Sequence, residues 1–243
     1  TATNTQGATS ATSKVKRMVV DTTPKSFRGN TVSVSGTFVS GATCEFTGNN
    51  VQVGESVVFI LSLDAAAKSN GAPLTITPNI NGVPLVLMYS TPVLKKADGN
   101  EVRQHLYVAD RVTQAGVPVV EFTMSPNSHF HYSFARFGGG MSDIDILVED
   151  AKQEWIAPHQ LEQEDATVTN SVELVGFVGA SGMSLPELAL PPGFTLLGED
   201  QAGPLITIIG YRVRTGPGPM ADHVSSPVYG YGDAYAVWAM NFF

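Results

Sequence analysis

Cysteine, charge and long apolar runs are all scarce in this chain of 243 residues. The single cysteine, Cys44, excludes a disulfide within the chain. No apolar run reaches the roughly 18 residues that a membrane-spanning helix needs, so we expect no membrane partner. The formal net charge is −8 and only 15% of residues are charged. The basic footprint that nucleic-acid binding requires is therefore missing, and we expect no nucleic-acid partner.

Turn-forming residues and short apolar segments are abundant by contrast. The chain contains 24 Gly and 15 Pro, and 43% of its residues are hydrophobic. This combination is typical of many short strands joined by tight turns, which predicts an all-β fold. Residues 56–63 are nearly continuous in apolar side chains, which predicts a central strand buried on both faces. Residues 51–55 predict the turn that leads into this strand.

Alternation of apolar and polar residues predicts the remaining strands. The last of them contains Trp238, which we expect to be substantially buried. An acidic stretch at 149–166 interrupts the series, and its Pro158 would break a long helix. We interpret it as a crossover within a sandwich that spans 15–243. The predicted strands are 15–20, 31–35, 74–77, 83–89, 106–112, 117–124, 129–137, 144–148, 171–178, 195–197, 205–214 and 234–243.

The segments on either side of this crossover, 15–148 and 167–243, share a weak internal similarity. In each one, a strand that bears a tyrosine precedes an aromatic strand (Tyr107 and Tyr211). The similarity is consistent with two related halves. Alternating strands also resemble one another by chance, so one undivided sandwich is the other interpretation.

The first 14 residues predict an extended N-terminal arm, because they are rich in Thr, Ala and Ser. They also lack the hydrophobic segment of a secretory signal. Such a segment has too few apolar side chains to dock on its own domain. We therefore expect the arm to order against another chain and to act in assembly. Its candidate contact residues are Thr1, Thr3, Thr5 and Thr9.

Four segments occur in an order that resembles a known class of proteins. They read VGESVVF at 53–59, PPGFTLL at 191–197, YRV at 211–213 and YAVW at 235–238. The order resembles jelly-roll β-sandwich domains of tailed-bacteriophage virion proteins, such as decoration, spike and fibre proteins. The resemblance covers residues 50–243 and includes no active-site signature. It implies a jelly-roll-type antiparallel β-sandwich on a virus particle outside the cell.

The function that follows from this resemblance is structural. We expect a virion component, namely a phage head decoration, spike or fibre protein that contacts the host surface. One alternative is a carbohydrate-binding adhesion module, and another is a jelly-roll subunit of the capsid shell. The expected partners are other virion proteins, copies of the chain itself and a host-surface glycan. We expect no cofactor and no enzymatic activity.

The paired histidines of the motif His129-Phe130-His131 are the weak candidates for a metal site. In a strand, positions i and i+2 share one face, so both imidazoles could meet one metal ion. Cupins, another jelly-roll family, use such a pair with a nearby glutamate. No glutamate follows here within several residues, so we expect no metal and two partly exposed strand histidines.

Two tyrosines spaced by glycine, Tyr229 and Tyr231, are candidate ligand-binding residues together with Trp155. Aromatic faces stack on sugars and on protein partners at a low entropic cost. The alternative is that the tyrosines close one end of the sandwich and that Trp155 anchors the crossover.

Other catalytic and metal-binding patterns are incomplete. Asp143 and Asp145 follow three glycines and could hold calcium, but their spacing fits no standard loop and favours a solvated turn. No G-x-S-x-G motif occurs, and no nucleophile with an orienting base can be assembled from spacing. We therefore assign no catalytic residue.

Overall fold

The computed structural model of the chain describes residues 24–29, 32–37, 43–45, 50–65, 68–69, 72–73, 75–96, 99–123, 128–141, 144–152, 170–180, 188–202, 205–215 and 234–242. Within these ranges the regular structure consists of strands, and no helix is long and apolar enough to cross a membrane. The strands are β1 (Ser26–Phe27), β2 (Val32–Thr37), β3 (Thr43–Glu45), β4 (Glu55–Ala65), β5 (Lys68–Ser69), β6 (Ala72–Pro73), β7 (Thr75–Ile80), β8 (Val83–Pro84), β9 (Val86–Ser90), β10 (Leu94–Lys95), β11 (Glu101–Ala109), β12 (Pro118–Thr123), β13 (His129–Gly138), β14 (Ile144–Lys152), β15 (Ser171–Ala180), β16 (Thr195–Ala202), β17 (Leu205–Arg214) and β18 (Ala234–Phe242).

Three larger sheets contain most of these strands. A seven-stranded sheet has the order β1-β13-β4-β11-β10, with β2 also pairing with β13 and β9 also pairing with β11. A four-stranded sheet has the order β3-β12-β7-β8, and a five-stranded sheet the order β14-β18-β15-β17-β16. The strand pairs within them are antiparallel, for example β13 with β4 and β15 with β17. The prediction of an all-β antiparallel sandwich is therefore confirmed.

Strand β4 is the middle of the molecule, as its continuous apolar sequence predicts. Phe59 and Leu61 belong to a core cluster with Val120 of the four-stranded sheet. Val58 and Ile60 face the other way and belong to a cluster with residues of the five-stranded sheet. Because successive side chains of a strand point to opposite faces, β4 is buried on both sides. The seven-stranded sheet is thus the central layer of three.

Eight strands of the seven- and four-stranded sheets pair in a nested order. β2 pairs with β13, β3 with β12, β4 with β11, and β7 with β8. Counted along the chain, the first of the eight pairs with the last, the second with the seventh, the third with the sixth and the fourth with the fifth. The same eight strands form the rows β2-β13-β4-β11 and β3-β12-β7-β8.

The five-stranded sheet packs on the central layer through Trp238, which is fully buried as predicted. The indole lies over Gly176, the residue opposite it on β15, where a Cβ would overlap the ring. A glycine is therefore required under the tryptophan. Met240 and Phe242 continue the same buried face of β18.

A buried hydrogen-bond network joins these two layers. Trp238 Nε1 donates to Gln104 Oε1. Gln104 Nε2 donates to Ser62 Oγ at 2.7 Å and to Thr207 Oγ1 at 3.2 Å. Thr207 Oγ1 in turn donates to the backbone oxygen of Phe177 at 3.0 Å. Since each polar side chain has a partner, the network fixes how the layers align without leaving a costly unpaired group.

Tight turns set the registers of the strands they join. Gly54, with φ 84°, closes the predicted turn before β4, where Glu55 N donates to Gln52 O at 3.1 Å. Asn81 and Gly82 both have positive φ, as a two-residue hairpin between β7 and β8 requires.

Several predicted strand limits were wrong at their polar ends. β11 spans Glu101–Ala109, whereas the sequence predicted a strand at 106–112. β16 continues to Ala202. β14 continues to Lys152, into the stretch 149–166 that we interpreted as a crossover. Residues 153–166 and the N-terminal arm, 1–14, lie outside the described residues.

Candidate functional site

An apolar cleft of about 240 Å³ opens between the segment β8–β9 and the loop that follows β11. Seven of its lining residues are apolar, which suits a hydrophobic ligand or a protein side chain. Asp110, Arg111, Thr113 and Gln114 supply the polar rim. The apolar lining residues are Ile80, Val83, Pro84, Val86, Val108, Ala109 and Val112.

Hydrogen bonds to strand β4 hold the loop that borders the cleft. Asp110 Oδ1 accepts from Ser56 Oγ at 3.0 Å and from the backbone N–H of Met141 at 2.7 Å. Arg111 has a positive φ of 46°, and its N–H donates to Ser56 Oγ at 3.1 Å. Val112 N donates to Glu55 O at 2.8 Å. The cleft wall is thus fixed by the fold.

Three apolar side chains are exposed along this edge, and we call them the edge patch: Val83 and Val86 also line the cleft, and Leu87, the residue after Val86, points to the opposite face of β9. Val83, Val86 and Leu87 are 55%, 61% and 49% exposed. They lie on β8 and β9, where the chain passes from the four-stranded to the seven-stranded sheet. Apolar side chains exposed along an unpaired edge strand suit an interaction surface.

Two serine–histidine pairs lie at opposite sides of the seven-stranded sheet. On β13, His131 Nε2 is 2.7 Å from Ser33 Oγ of β2. On β11, His105 Nδ1 is 2.7 Å from Ser90 Oγ of β9. Both imidazoles are buried and both serines are exposed.

Burial governs the protonation of both rings. It lowers the pKa of His131 to about 4. Burial, with a smaller contribution from the guanidinium of Arg103, also lowers the pKa of His105 to about 4. Both rings are therefore neutral at pH 7, and one nitrogen of each can accept a proton or a hydrogen bond. The remaining nitrogens, His131 Nδ1 and His105 Nε2, find no hydrogen-bond partner in the described ranges.

A charged cluster occupies the face of the five-stranded sheet that points away from the central layer. Glu173 is fully buried. Its two oxygens accept from Arg212 Nε at 2.5 Å and from Arg214 Nε at 2.7 Å. Asn241, opposite Glu173 on β18, is also fully buried, and its amide finds no partner among the described residues. The ion pairs join β15 to β17, and the amide leaves an unused donor and acceptor beside them.

The predicted histidine pair does not form the arrangement that we expected. His131 is fully buried and not partly exposed, because β2 and β16 cover its face of β13. His129 is half-buried. Among the residues that the structure describes, no group of three or more His, Cys, Asp or Glu side chains could hold a metal ion.

The other predicted site residues lie outside the described residues. They are the aromatic candidates Tyr229, Tyr231 and Trp155, the arm threonines Thr1, Thr3, Thr5 and Thr9, and Asp143. Asp145 and Cys44 lie in strands β14 and β3.

Sequence reasoning missed His105, Ser33 and Glu173. Each is a polar residue within a strand, and its partner comes from a strand at least 15 residues away along the chain. Ser33 and Glu173 lie in predicted strands and His105 directly precedes one, so the local sequence showed that they are polar but not which residues they contact. Comparisons with protein-family models, curated proteins and solved structures found no match to this chain.

Proposed function

We propose that the chain is a structural protein of a virus particle and that its seven- and four-stranded sheets form a jelly roll. The nested pairing of eight strands, from β2 with β13 to β7 with β8, carries this proposal. Eight strands divided between two sheets are the architecture of jelly rolls in viral capsid, lectin and cupin domains. The resemblance of the sequence to phage virion proteins favours the first of these three classes.

The principal form of the proposal is a decoration, spike or fibre component of a phage particle. The nested pairing also favours the second candidate, a subunit of the capsid shell, because viral shells use the same eight-strand arrangement. Both candidates place the chain in a virion, and both require contacts between copies or with other virion proteins.

The edge patch supports contacts between copies. Val86 and Leu87 project from an edge strand whose five residues, VLMYS, carry no charge. Natural proteins usually protect edge strands with charges, prolines or a covering element. An uncharged, apolar edge beside an apolar cleft is therefore a surface that association would bury.

Sedimentation velocity over a range of concentrations tests the proposal. We expect the purified chain to associate, and we expect Leu87→Lys to shift the distribution towards the monomer. Val53→Lys is the matched control, since Val53 is 65% exposed but lies in the turn before β4. Circular dichroism establishes that both variants are folded.

A glycan array separates the proposal from its main competitor. A chain that stays monomeric at every concentration and binds a defined glycan contradicts the structural role and supports an adhesion module. Association that Leu87→Lys and Val53→Lys weaken equally contradicts the edge patch as the contact.

A further inference from the structure

The outermost strands on the two sides of the seven-stranded sheet are attached in the same way. Among the described strands, β2 pairs only with β13 and β9 only with β11. Each strand also contributes one exposed serine to a buried imidazole of its neighbour: Ser33 to His131 and Ser90 to His105. A side-chain contact therefore supplements the backbone ladder at both edges.

The second nitrogen of each ring makes this contact sensitive to acid. A neutral imidazole has one N–H and one lone pair, so with a single partner it leaves one uncharged polar atom unpaired, which costs much less than a buried charge. A protonated imidazole has two N–H groups and a positive charge. Because His131 Nδ1 and His105 Nε2 are buried without a partner in the described ranges, the second N–H would have no acceptor. A buried charge without compensation is strongly unfavourable.

We propose that the Ser33–His131 and Ser90–His105 contacts are acid-sensitive clasps that hold β2 and β9 on the sheet and release them when the imidazoles are protonated. Opening an edge strand is the local rearrangement that gives each ring water. The inference is independent of the proposed virion role, since it depends only on these contacts.

The charged groups around His131 do not compensate its protonation. On β4, Asp64 lies two residues beyond Ser62 and pairs with Lys96 at 2.8 Å. On β16, Asp200 lies opposite Thr207 and so faces the central layer. Strand β2 has no titratable residue, and His129 precedes His131 by two residues on the same face of β13. Burial is the cause that lowers the pKa of His131, with no offsetting contribution from these carboxylates.

The charged groups around His105 oppose its protonation. Arg103 lies on the same face of β11 and further lowers the pKa of His105, although Arg103 itself pairs with Glu101 at 2.5 Å. The Tyr107 ring lies 6.3 Å from the imidazole. The facing residues of β4 and β9, among them Leu61 and Leu87, carry no charge.

Hydrogen exchange of the backbone amides measures the release directly. The pKa of each ring is about 4 in the closed state and about 6.5 once the ring is hydrated. Between these values, each decrease of one pH unit therefore raises the equilibrium constant for opening roughly tenfold. We therefore expect amides of β2 and β9 to lose protection from pH 7 to pH 4.5, after correction for intrinsic exchange. Amides of β15 and β17, in the five-stranded sheet, should remain more strongly protected than those of β2 and β9 at each pH, which distinguishes local release of the edge strands from global unfolding.

Two substitutions assign the effect to each clasp. His131→Gln replaces Nε2 by an amide that cannot titrate, and His105→Asn does the same for Nδ1. We expect each variant to lose the pH dependence at its own edge strand and keep it at the other. His129→Gln, on the same strand but half-buried, is the matched control and should retain both.

Two results would overturn the inference. One is protection at β2 and β9 that does not change between pH 7 and pH 4.5, or that changes equally in both variants. The other comes from the unmodified chain and does not depend on whether the variants fold: an NMR titration in which His131 and His105 titrate near pH 6.5.

Discussion

Trp238 has no exposed surface, and its indole needs both an empty position beneath it and an acceptor beside it. Gly176 supplies the space and Gln104 the acceptor. Replacing Trp238 by Ala removes this packing and leaves Gln104 Oε1 without a donor. We expect Trp238→Ala to lower the free energy of unfolding by about 3–5 kcal/mol. Urea denaturation followed by circular dichroism measures this loss, with Val53→Ala as an exposed control that should change it by less than about 0.5 kcal/mol.

The glycine beneath the indole gives the reverse test. A Cβ at position 176 would overlap the Trp238 ring, which cannot move aside because it is fully enclosed. We expect Gly176→Ala to destabilise the protein by about 1–3 kcal/mol through overpacking. Gly36→Ala is the matched control in a strand, since its Cβ would lie 3.5 Å from Phe130, an ordinary contact. Equal melting temperatures for the two variants would contradict the packing argument.

The lowered pKa values of His131 and His105 predict how the free energy of unfolding depends on pH. Their pKa values in the folded chain are about 4, below the ordinary value of about 6.5 for an unfolded chain. On acidification the unfolded chain therefore binds protons first. Stability is complete above pH 6.5, falls by about 1.4 kcal/mol per pH unit for each histidine down to pH 4, and then levels. Denaturant titrations at several pH values should show this slope, reduced in His131→Gln and reduced again when His105→Asn is added.

The burial of His131 could not be predicted from its neighbours in sequence. Alternation placed it on one face of a strand, but whether that face meets water depends on β2 and β16. Strand β16 begins 64 residues later, at Thr195. Local polarity therefore suggested an exposed ring, while the tertiary packing made it a buried one.

The limits of the strands were predicted well where the sequence is apolar and poorly where it is polar. β4 and β17 were predicted closely because each contains a segment in which apolar residues predominate, VVFIL at 57–61 and LITII at 205–209. The first half of β11 was missed because Glu101, Arg103 and Gln104 look like a loop. In the fold, Arg103 pairs with Glu101, and Gln104 bonds to Ser62. These partners satisfy the polar groups, which sequence pattern alone cannot reveal.

Strand β18 is expected to be indispensable because it is internal to its sheet. It pairs with β14 on one side and with β15 on the other, so its loss would separate the two. A chain that ends at residue 233 should therefore fail to fold. The measurement is a thermal melt of the truncated chain. A soluble protein with a cooperative melt near that of the full chain would show that β18 is peripheral.

At the scale of the whole molecule, the sequence predicted a sandwich but not its three layers. The doubly buried β4 was the one local sign that sheets lie on both sides of it. The nested pairing could not be predicted, because alternation indicates which face of a strand is buried but not which strand lies beside it. The exposure of the edge patch could not be predicted either, since valine and leucine, the residue types at 86 and 87, are typical of buried strands.

The shared packing of the layers leads to the last prediction, that the chain unfolds in one cooperative transition. Val58 and Leu106 of the central layer lie in one buried cluster with Leu174 and Trp238 of the five-stranded sheet. Separating the layers would expose this cluster and break the network at Gln104, so neither layer is stable without the other. Calorimetry should give equal calorimetric and van't Hoff enthalpies. Trp238→Ala should lower exchange protection in β12 and in β17 by the same factor, although β12 lies in the four-stranded sheet. Two resolved transitions, or loss of protection confined to β17, would mean that 15–148 and 167–243 are independent halves.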